Sequence, residues 1–285
     1  MVDTVATAAE LGELLDDVRS SGRTVGFVPT MGYLHRGHAS LISAAAADCD
    51  VVVTSIFVNP LQFAPTEDLA AYPRDLDGDL RLAEEAGATV VFAPSEDEMY
   101  PNGRDGVLTT VAVPALAGVM EGASRPSHFA GVCTVVAKLF HQVGACRAYF
   151  GEKDYQQLAI LRRMALDLSF PVQVVGCPTV REPDGLALSS RNVYLTAEER
   201  EVAPVLQRAL RAGAAAIADG ETDADRVRST MATMIDEAPL GELDYVEIAS
   251  ADTLQPLVVA DPGARLFGAV RFGRARLIDN IAAAS

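Results

Sequence analysis

The chain has almost no lysine. Of its 23 basic residues only Lys138 and Lys153 are lysines, the rest being arginines. There is no Cys-x-x-Cys pair, and no apolar run approaches the ~18 residues that cross a bilayer. The first nineteen residues carry Asp3, Glu10, Glu13 and Asp16 in place of the basic start and apolar block of a secretory signal. The cytosol is therefore the expected location. The four cysteines, Cys49, Cys133, Cys146 and Cys177, are scattered and three of them have apolar neighbours. They read as buried free thiols, not as disulfides or metal ligands. Gly-x-x-x-x-Gly-Lys-Ser/Thr and Gly-x-Gly-x-x-Gly are both missing, which excludes a P-loop and a dinucleotide fingerprint. Positive charge is in deficit, with a formal net charge of −16, and that argues against nucleic acid as a partner. Anionic small ligands would need cations gathered at one place.

What is present is an ordinary globular composition, 49% hydrophobic and 22% charged over 285 residues. That is enough for one large domain and a smaller one. Short apolar runs at 24–28, 51–58, 89–92, 147–150 and 172–175 alternate with helical stretches at 37–47, 76–86, 131–143 and 154–168. A further helix is expected at the start, from Val5, Ala8, Leu11, Leu14, Leu15 and Val18 at helical spacing. This alternation predicts an α/β fold, a doubly wound parallel sheet with helices on both faces. Ligands in such sheets sit beyond the carboxyl ends of the strands where strand order reverses. If runs 24–28 and 147–150 are neighbours there, the segments that follow them can serve one ligand. The turn cluster Glu182-Pro183-Asp184-Gly185 marks a change of pattern. Helices are expected over 196–218 and 222–237, then strands at 243–249, 257–259 and 264–270. The expected division is residues 1–182 and a smaller α+β domain, 183–285, acting as a lid.

The most informative segment is Pro29, Thr30, Met31, Gly32, Tyr33, Leu34, His35, Arg36, Gly37 and His38, a turn joining a strand to a helix. A helix start offers free N–H groups and a positive dipole end to an anion, and Gly37 leaves the backbone open to a phosphate. His35 and His38, three apart, share a face of the first helical turn and can donate to phosphate oxygens. Lys153, in Gly151-Glu152-Lys153-Asp154, stands directly after an apolar run and is the functional lysine. Lys138 lies mid-way along an apolar stretch and reads as a snorkelling surface group. Ser189, Ser190, Arg191 and Asn192 place hydroxyls and a guanidinium on one loop. Such donors suit phosphates whose charge grows as pyrophosphate leaves.

Asn59 and Gln62, in Phe57-Val58-Asn59-Pro60-Leu61-Gln62-Phe63, are amides able to grip hydroxyls or a carboxylate. Turn chemistry is the competing reading for Asn59-Pro60. Gln157 follows Lys153 by about one helical turn and can face the same pocket. Arg125 and His128 precede an apolar helix and offer further positive donors. Asp79, or Asp77, can meet a Mg2+ carried by a nucleotide.

Taken together, Pro-Thr-Met-Gly, His-x-Gly-His, Phe-Val-Asn-Pro-x-Gln-Phe, Gly-Glu-Lys-Asp-Tyr-Gln-Gln and Ser-Ser-Arg-Asn make the chain resemble the pantothenate synthetases. These are ATP-dependent ligases that join pantoate to β-alanine through a pantoyl adenylate. The likeness runs from Pro29 through Asn192 and weakens beyond. It implies a Rossmann-like fold of the HIGH nucleotidyltransferase type, Mg2+ with ATP, and a homodimer. It implies ATP contacts at Met31 to His38, Gly151, Glu152, Lys153, Asp154, Val180, Leu188, Ser189, Ser190 and Arg191. His38 falls on the family's proton-donor position, Gln62 on the contact to both pantoate and β-alanine, and Gln157 on a second pantoate contact. Leu188 stands where many members have Met, and Gly78 replaces an acidic residue found beside Asp79 in some. Two other classes stay open on the residues alone. One is a nucleotidyltransferase acting on a phosphate ester, which the amides Gln62 and Gln157 disfavour; the other is a nucleotide-binding regulator without turnover.

Overall fold

The computed structural model describes residues 2–63, 69 and 72–284. The elements follow in the order β1 (Asp3–Val5), α1 (Ala8–Ser20), β2 (Val25–Thr30), α2 (Arg36–Asp48), β3 (Val51–Ile56), α3 (Leu76–Ala86) and β4 (Val90–Phe92). Three short helices come next, α4 (Glu96–Met99), α5 (Pro114–Ala117) and α6 (Met120–Ser124). After them run α7 (His128–Val143), β5 (Cys146–Gly151), α8 (Tyr155–Asp167) and β6 (Val172–Cys177). The C-terminal part holds α9 (Ala197–Val202), α10 (Val205–Ala218), α11 (Ala224–Asp236), β7 (Gly241–Ser250), β8 (Ala264–Phe272) and β9 (Ala275–Ala282).

Strands β1 to β6 form one sheet in the order β1-β4-β3-β2-β5-β6, with every pair parallel. All five expected runs are strands. The order reverses between β2 and β5, the neighbours that the sequence requires. Their shared ladder covers only Gly26↔Arg147 and Phe27↔Ala148. Pro29 lies past its end and has no N–H to extend it. The two strands are thus free to part at their carboxyl ends, where ligands of open α/β sheets bind.

Strands of this kind are buried on both faces and need continuous apolar runs. Val51, Val52 and Val53 of β3 and Val90, Val91 and Phe92 of β4 supply them, each 5% exposed or less. One face packs Val28, Val52, Val91 and Tyr149 against Ile42 and Ala45 of α2 and Ala83 of α3. Helix α1 begins with a capping box in which Thr7 and Glu10 satisfy each other's backbone N–H groups. It buries Leu11, Leu15 and Val18. Helix α7 buries most of its length, including Phe129, Val132, Val136, Leu139 and Phe140.

The second sheet, β7-β8-β9, is antiparallel. Its apolar face carries Ile248, Leu266, Val270 and Phe272, covered by Leu206 and Leu210 of α10 and Val227, Met231 and Ile235 of α11. Four sequence expectations change in the structure. The 196–218 helix is two helices, because Pro204 has no N–H to continue the first. Residues 257–259 are not a strand and make only isolated bridges nearby, Ala249↔Pro256 and Asp223↔Val259. Strand β9 is unexpected, since its Asp279-Asn280 pair interrupts the apolar pattern. So is β1, where Val5 ends a strand and does not start α1.

The chain forms two compact units, and the division is not a single cut. One holds residues up to Gly151 together with Ile160–Cys177; the other holds Glu152–Ala159 and the chain from Pro178 onward. The Glu152-Lys153-Asp154 turn therefore packs with the C-terminal sheet although it directly follows β5. No helix of the described residues is long and apolar enough to cross a membrane. None of the four cysteines is in a disulfide, and burial pushes the Cys133 and Cys146 thiols up to about 12, which disfavours the reactive thiolate.

Candidate active site

The loop after β2 is built around two histidines that cap their own helix. His35 is the N-cap of α2, and its Nδ1 accepts the Gly37 N–H at 3.1 Å. The Nδ1 of His38 accepts the His35 N–H at 3.2 Å. With Nδ1 accepting a backbone N–H, a neutral ring places its proton on Nε2. The rings lie 4.2 Å apart between centroids, tilted by 40°. Both Nε2–H groups can therefore donate at the positive end of a 13-residue helix. Gly37 is needed for a second reason that only the fold reveals: a Cβ there would come within 2.8 Å of His35 Cε1.

The same loop is clamped from α3. Asp79, 3% exposed, accepts the Tyr33 N–H at 2.9 Å with Oδ2 and the Leu34 N–H at 2.6 Å with Oδ1. Tyr33 sits at φ 52° and Gly32 at φ 80°, so the carboxylate holds a turn the backbone resists. Burial raises the Asp79 carboxyl above its ordinary range. Both of its oxygens face backbone amides in this structure. Among the described residues no three His, Cys, Asp or Glu side chains gather as a metal site. Met31 touches Gln62, whose Nε2 lies 2.7 Å from its Sδ. Pro29 and Thr30 end β2, and Thr30 Oγ1 donates to the Ser55 carbonyl at 2.7 Å. Arg36 is exposed.

Gln62 ends a 3-10 turn, Pro60–Gln62. Asn59 is 1% exposed. Its Nδ2 donates to Gln62 Oε1 at 3.2 Å and to the Gly131 carbonyl at 3.1 Å. Its Oδ1 accepts from Tyr100 Oη at 2.8 Å and from the Leu61 N–H at 3.3 Å. Its side chain holds the turn that carries Gln62. His128 Nδ1 lies 3.0 Å from the Gln62 carbonyl, and Arg125 Nη2 reaches that carbonyl at 3.5 Å. Both hold the Gln62 peptide.

In the second unit Lys153 shares a narrow cleft with Ser189, Arg191, Asn192 and Asp279. Its side chain is 16% exposed, with Nζ 3.5 Å from Asp154 Oδ1. Val180 and Leu188 are paired across a hairpin, the Leu188 N–H donating to the Val180 carbonyl at 2.9 Å. That hairpin delivers Ser189, whose Oγ accepts the Arg191 N–H at 3.2 Å and starts the 3-10 turn Ser190–Tyr194. Arg191 and Ser190 stay exposed. Gln157 is half-buried on the first turn of α8, while its neighbour Gln156 is buried. Two motifs distant in sequence thus form one polar cleft.

The family model described as pantoate-beta-alanine ligase matches residues 3–282. The chain belongs to the pantoate–β-alanine ligase family. The pantothenate synthetase of Chloroflexus aurantiacus is 54% identical over 264 residues, covering 92% of each chain. That of Geobacillus thermodenitrificans is 52% identical over 274 residues, covering 96% of this chain and 93% of the other. The crystal structure of the Thermus thermophilus pantothenate synthetase superposes with a TM-score of 0.92 at 51% identity, covering 100% of both chains. A pantoate-beta-alanine ligase from Francisella tularensis, solved in complex with beta-gamma ATP and beta-alanine, matches at 33% identity with a TM-score of 0.79, covering 100% of this chain and 99% of the other. The chain is thus an enzyme of the ligase class with the family's Rossmann-like fold.

What sequence reasoning misses in this ligase site are its supports. Asp79 reads as a ligand there, and Asn280, Arg265 and the Arg181–Asp279 pair do not stand out. A signal for the last set exists: adjacent Asp279 and Asn280 inside an apolar strand must be satisfied by buried partners.

Proposed function

We propose that this ligase condenses pantoate with β-alanine in two steps at the expense of MgATP. A carboxylate oxygen of pantoate attacks the α-phosphorus, the bond to the β-phosphate oxygen breaks, and pyrophosphate leaves with that electron pair. The amine of β-alanine then attacks the pantoyl carbonyl. AMP departs with the acyl C–O electron pair, the nitrogen loses a proton, and pantothenate remains. The observation carrying this reading is the pair of imidazoles at the start of α2, each held at Nδ1 by a backbone N–H.

His35 and His38 stabilise charge on the phosphates, His38 acting as the proton donor. Lys153 and Arg191 serve the departing phosphates electrostatically. Pro29 to His38, Gly151 to Asp154, Val180 and Leu188 to Arg191 form the nucleotide contacts. Gln62 and Gln157 bind pantoate, with Gln62 also meeting β-alanine. The Mg2+ arrives on the triphosphate as part of the substrate. Residues 183–285 act as a lid that keeps water from the mixed anhydride. The enzyme works as a homodimer in the cytoplasm.

Supplying ATP, pantoate and β-alanine should give AMP and pantothenate in equal amounts, and ADP as product would overturn the reading. With β-alanine withheld, pantoate should still drive positional isotope exchange in ATP, since the adenylate forms reversibly.

A further inference from the structure

A buried polar network on the C-terminal sheet ends on the two peptides that present Lys153. Asn280 of β9, 4% exposed, donates from a single Nδ2 to the Glu152 carbonyl and to the Lys153 carbonyl, both at 2.9 Å. Its Oδ1 accepts from Arg265 Nε at 2.6 Å, which fixes which way the amide points. Arg265, on β8, is 8% exposed. It also donates from Nη2 to Glu152 Oε2 at 3.0 Å, and its guanidinium lies 3.7 Å from the centroid of the Tyr155 ring. Behind Asn280 its own N–H is held by Asp279 Oδ1 at 2.8 Å. Arg181 grips Asp279 with two nitrogens at 2.6 and 2.9 Å.

Burying this many polar groups in an apolar sheet costs free energy unless every partner is present, and such networks rigidify what they hold. Here Asn280 and Arg265 hold the backbone origin of a long flexible side chain. Lysine is a point charge on four carbons, so its reach is defined only if its own peptide is fixed. The amide of Asn280 is spent on the two carbonyls and on Arg265, not on the Lys153 ammonium. We propose that Asn280, oriented by Arg265, is a positioning residue that sets Lys153 through the Glu152 and Lys153 carbonyls. The proposal rests on the ligase reading of Lys153.

The test is a double-mutant cycle on the full-length enzyme, reading kcat for pantothenate formation, KM for each substrate and the thermal midpoint. Asn280→Ala removes both ends of the amide. Asn280→Asp keeps an acceptor for Arg265 and removes the donor to the two carbonyls. Each should lower kcat on the order of 10²-fold, the cost of about 1 Å of misplacement at a reacting group. In a Lys153→Ala background the same changes should alter kcat by no more than about twofold, because the group they position is gone. The shift in thermal midpoint should be the same in both backgrounds. Equal fold-losses in the two backgrounds would overturn the proposal, as would full kcat for Asn280→Asp. Failure of both variants to fold would also overturn it, since Asn280 would then be a folding residue. If wild-type enzyme makes no pantothenate at all, the ligase reading itself fails, an outcome distinct from an additive cycle.

Discussion

Asp79 holds the loop after β2 through two carboxylate oxygens on backbone N–H groups, whereas Asn280 holds the turn after β5 through one amide on two backbone carbonyls. Each clamp matches what its loop exposes. The first loop runs through positive φ at Gly32 and Tyr33 and turns its N–H groups toward α3, so an acceptor is required. The turn after β5 presents carbonyls to β9, so a donor is required. A carboxylate serves in the first place because two separate N–H groups need two acceptor oxygens. The cost of burying it appears as the raised carboxyl of Asp79. In the second, Arg265 already supplies the charge and a neutral amide relays it. The difference teaches that the side chain making the first clamp is itself titratable, whereas the Asn280 amide is not.

The largest effects should come from the groups the clamps present. His38→Ala and Lys153→Ala are each expected to lower kcat by 10²- to 10³-fold, roughly 2.7–4 kcal/mol of transition-state stabilisation. Steady-state AMP release measures both, and full activity in either variant removes that residue from the chemistry. Next come the clamps themselves. Asp79→Asn is isosteric but turns an N–H donor toward one of the two amides it must satisfy. It should cost kcat on the order of 10²-fold by displacing the histidines. If Asp79→Asn kept wild-type kcat, the two clamps would not be equivalent and only the lysine turn would need one. Removing the side chain altogether, Asp79→Ala, should cost about 1–3 kcal/mol of stability by urea denaturation, the desolvation cost of amides left without an acceptor.

A smaller effect separates Gln62 from the residue behind it. Gln62→Ala should raise KM for pantoate more than it lowers kcat. Asn59→Ala should lower the thermal midpoint as well, because Tyr100 Oη and the Gly131 carbonyl lose their buried partner. A pantoate KM unaffected by Gln62→Ala would separate this amide from the substrate.

Which parts of this are legible in the sequence follows from which physics is local. The strands β2 to β6 are readable because double burial demands continuous apolar runs. The β2–β5 adjacency is readable as a requirement of two motifs acting together. The histidine pair and the Lys153 turn are likewise visible, since helix starts and short turns are fixed by nearby residues. The supports are not. Asp79 lies 46 residues from Tyr33, and Asn280 lies 127 from Lys153. Nothing within a local window distinguishes Asp79 from other acids near a helix start, which is why it reads as a metal contact. Asn59 shows the reverse case, where the local turn chemistry of Asn59-Pro60 is legible in the sequence and the structure shows the side chain accepting the Leu61 N–H. Strand β9 is hidden by the very residues that make it useful, Asp279 and Asn280.

The smallest predicted effect bears most directly on the comparison. Burial raises the folded-state value of Asp79 above its unfolded value of about 3.9. In the window between those values the folded protein holds a proton the unfolded chain has lost. Stability therefore declines as pH rises through that window, being fully present below it and at its reduced level above it. The amide of Asn280 carries no proton to exchange in this window. The stability of wild type minus that of Asp79→Asn, taken from urea midpoints at successive pH values from acid to neutral, should fall as pH rises and then level off. A wild-type minus Asp79→Asn difference that rises with pH would mean that the two backbone N–H groups outweigh burial, and that the carboxylate is the preferred form in the fold.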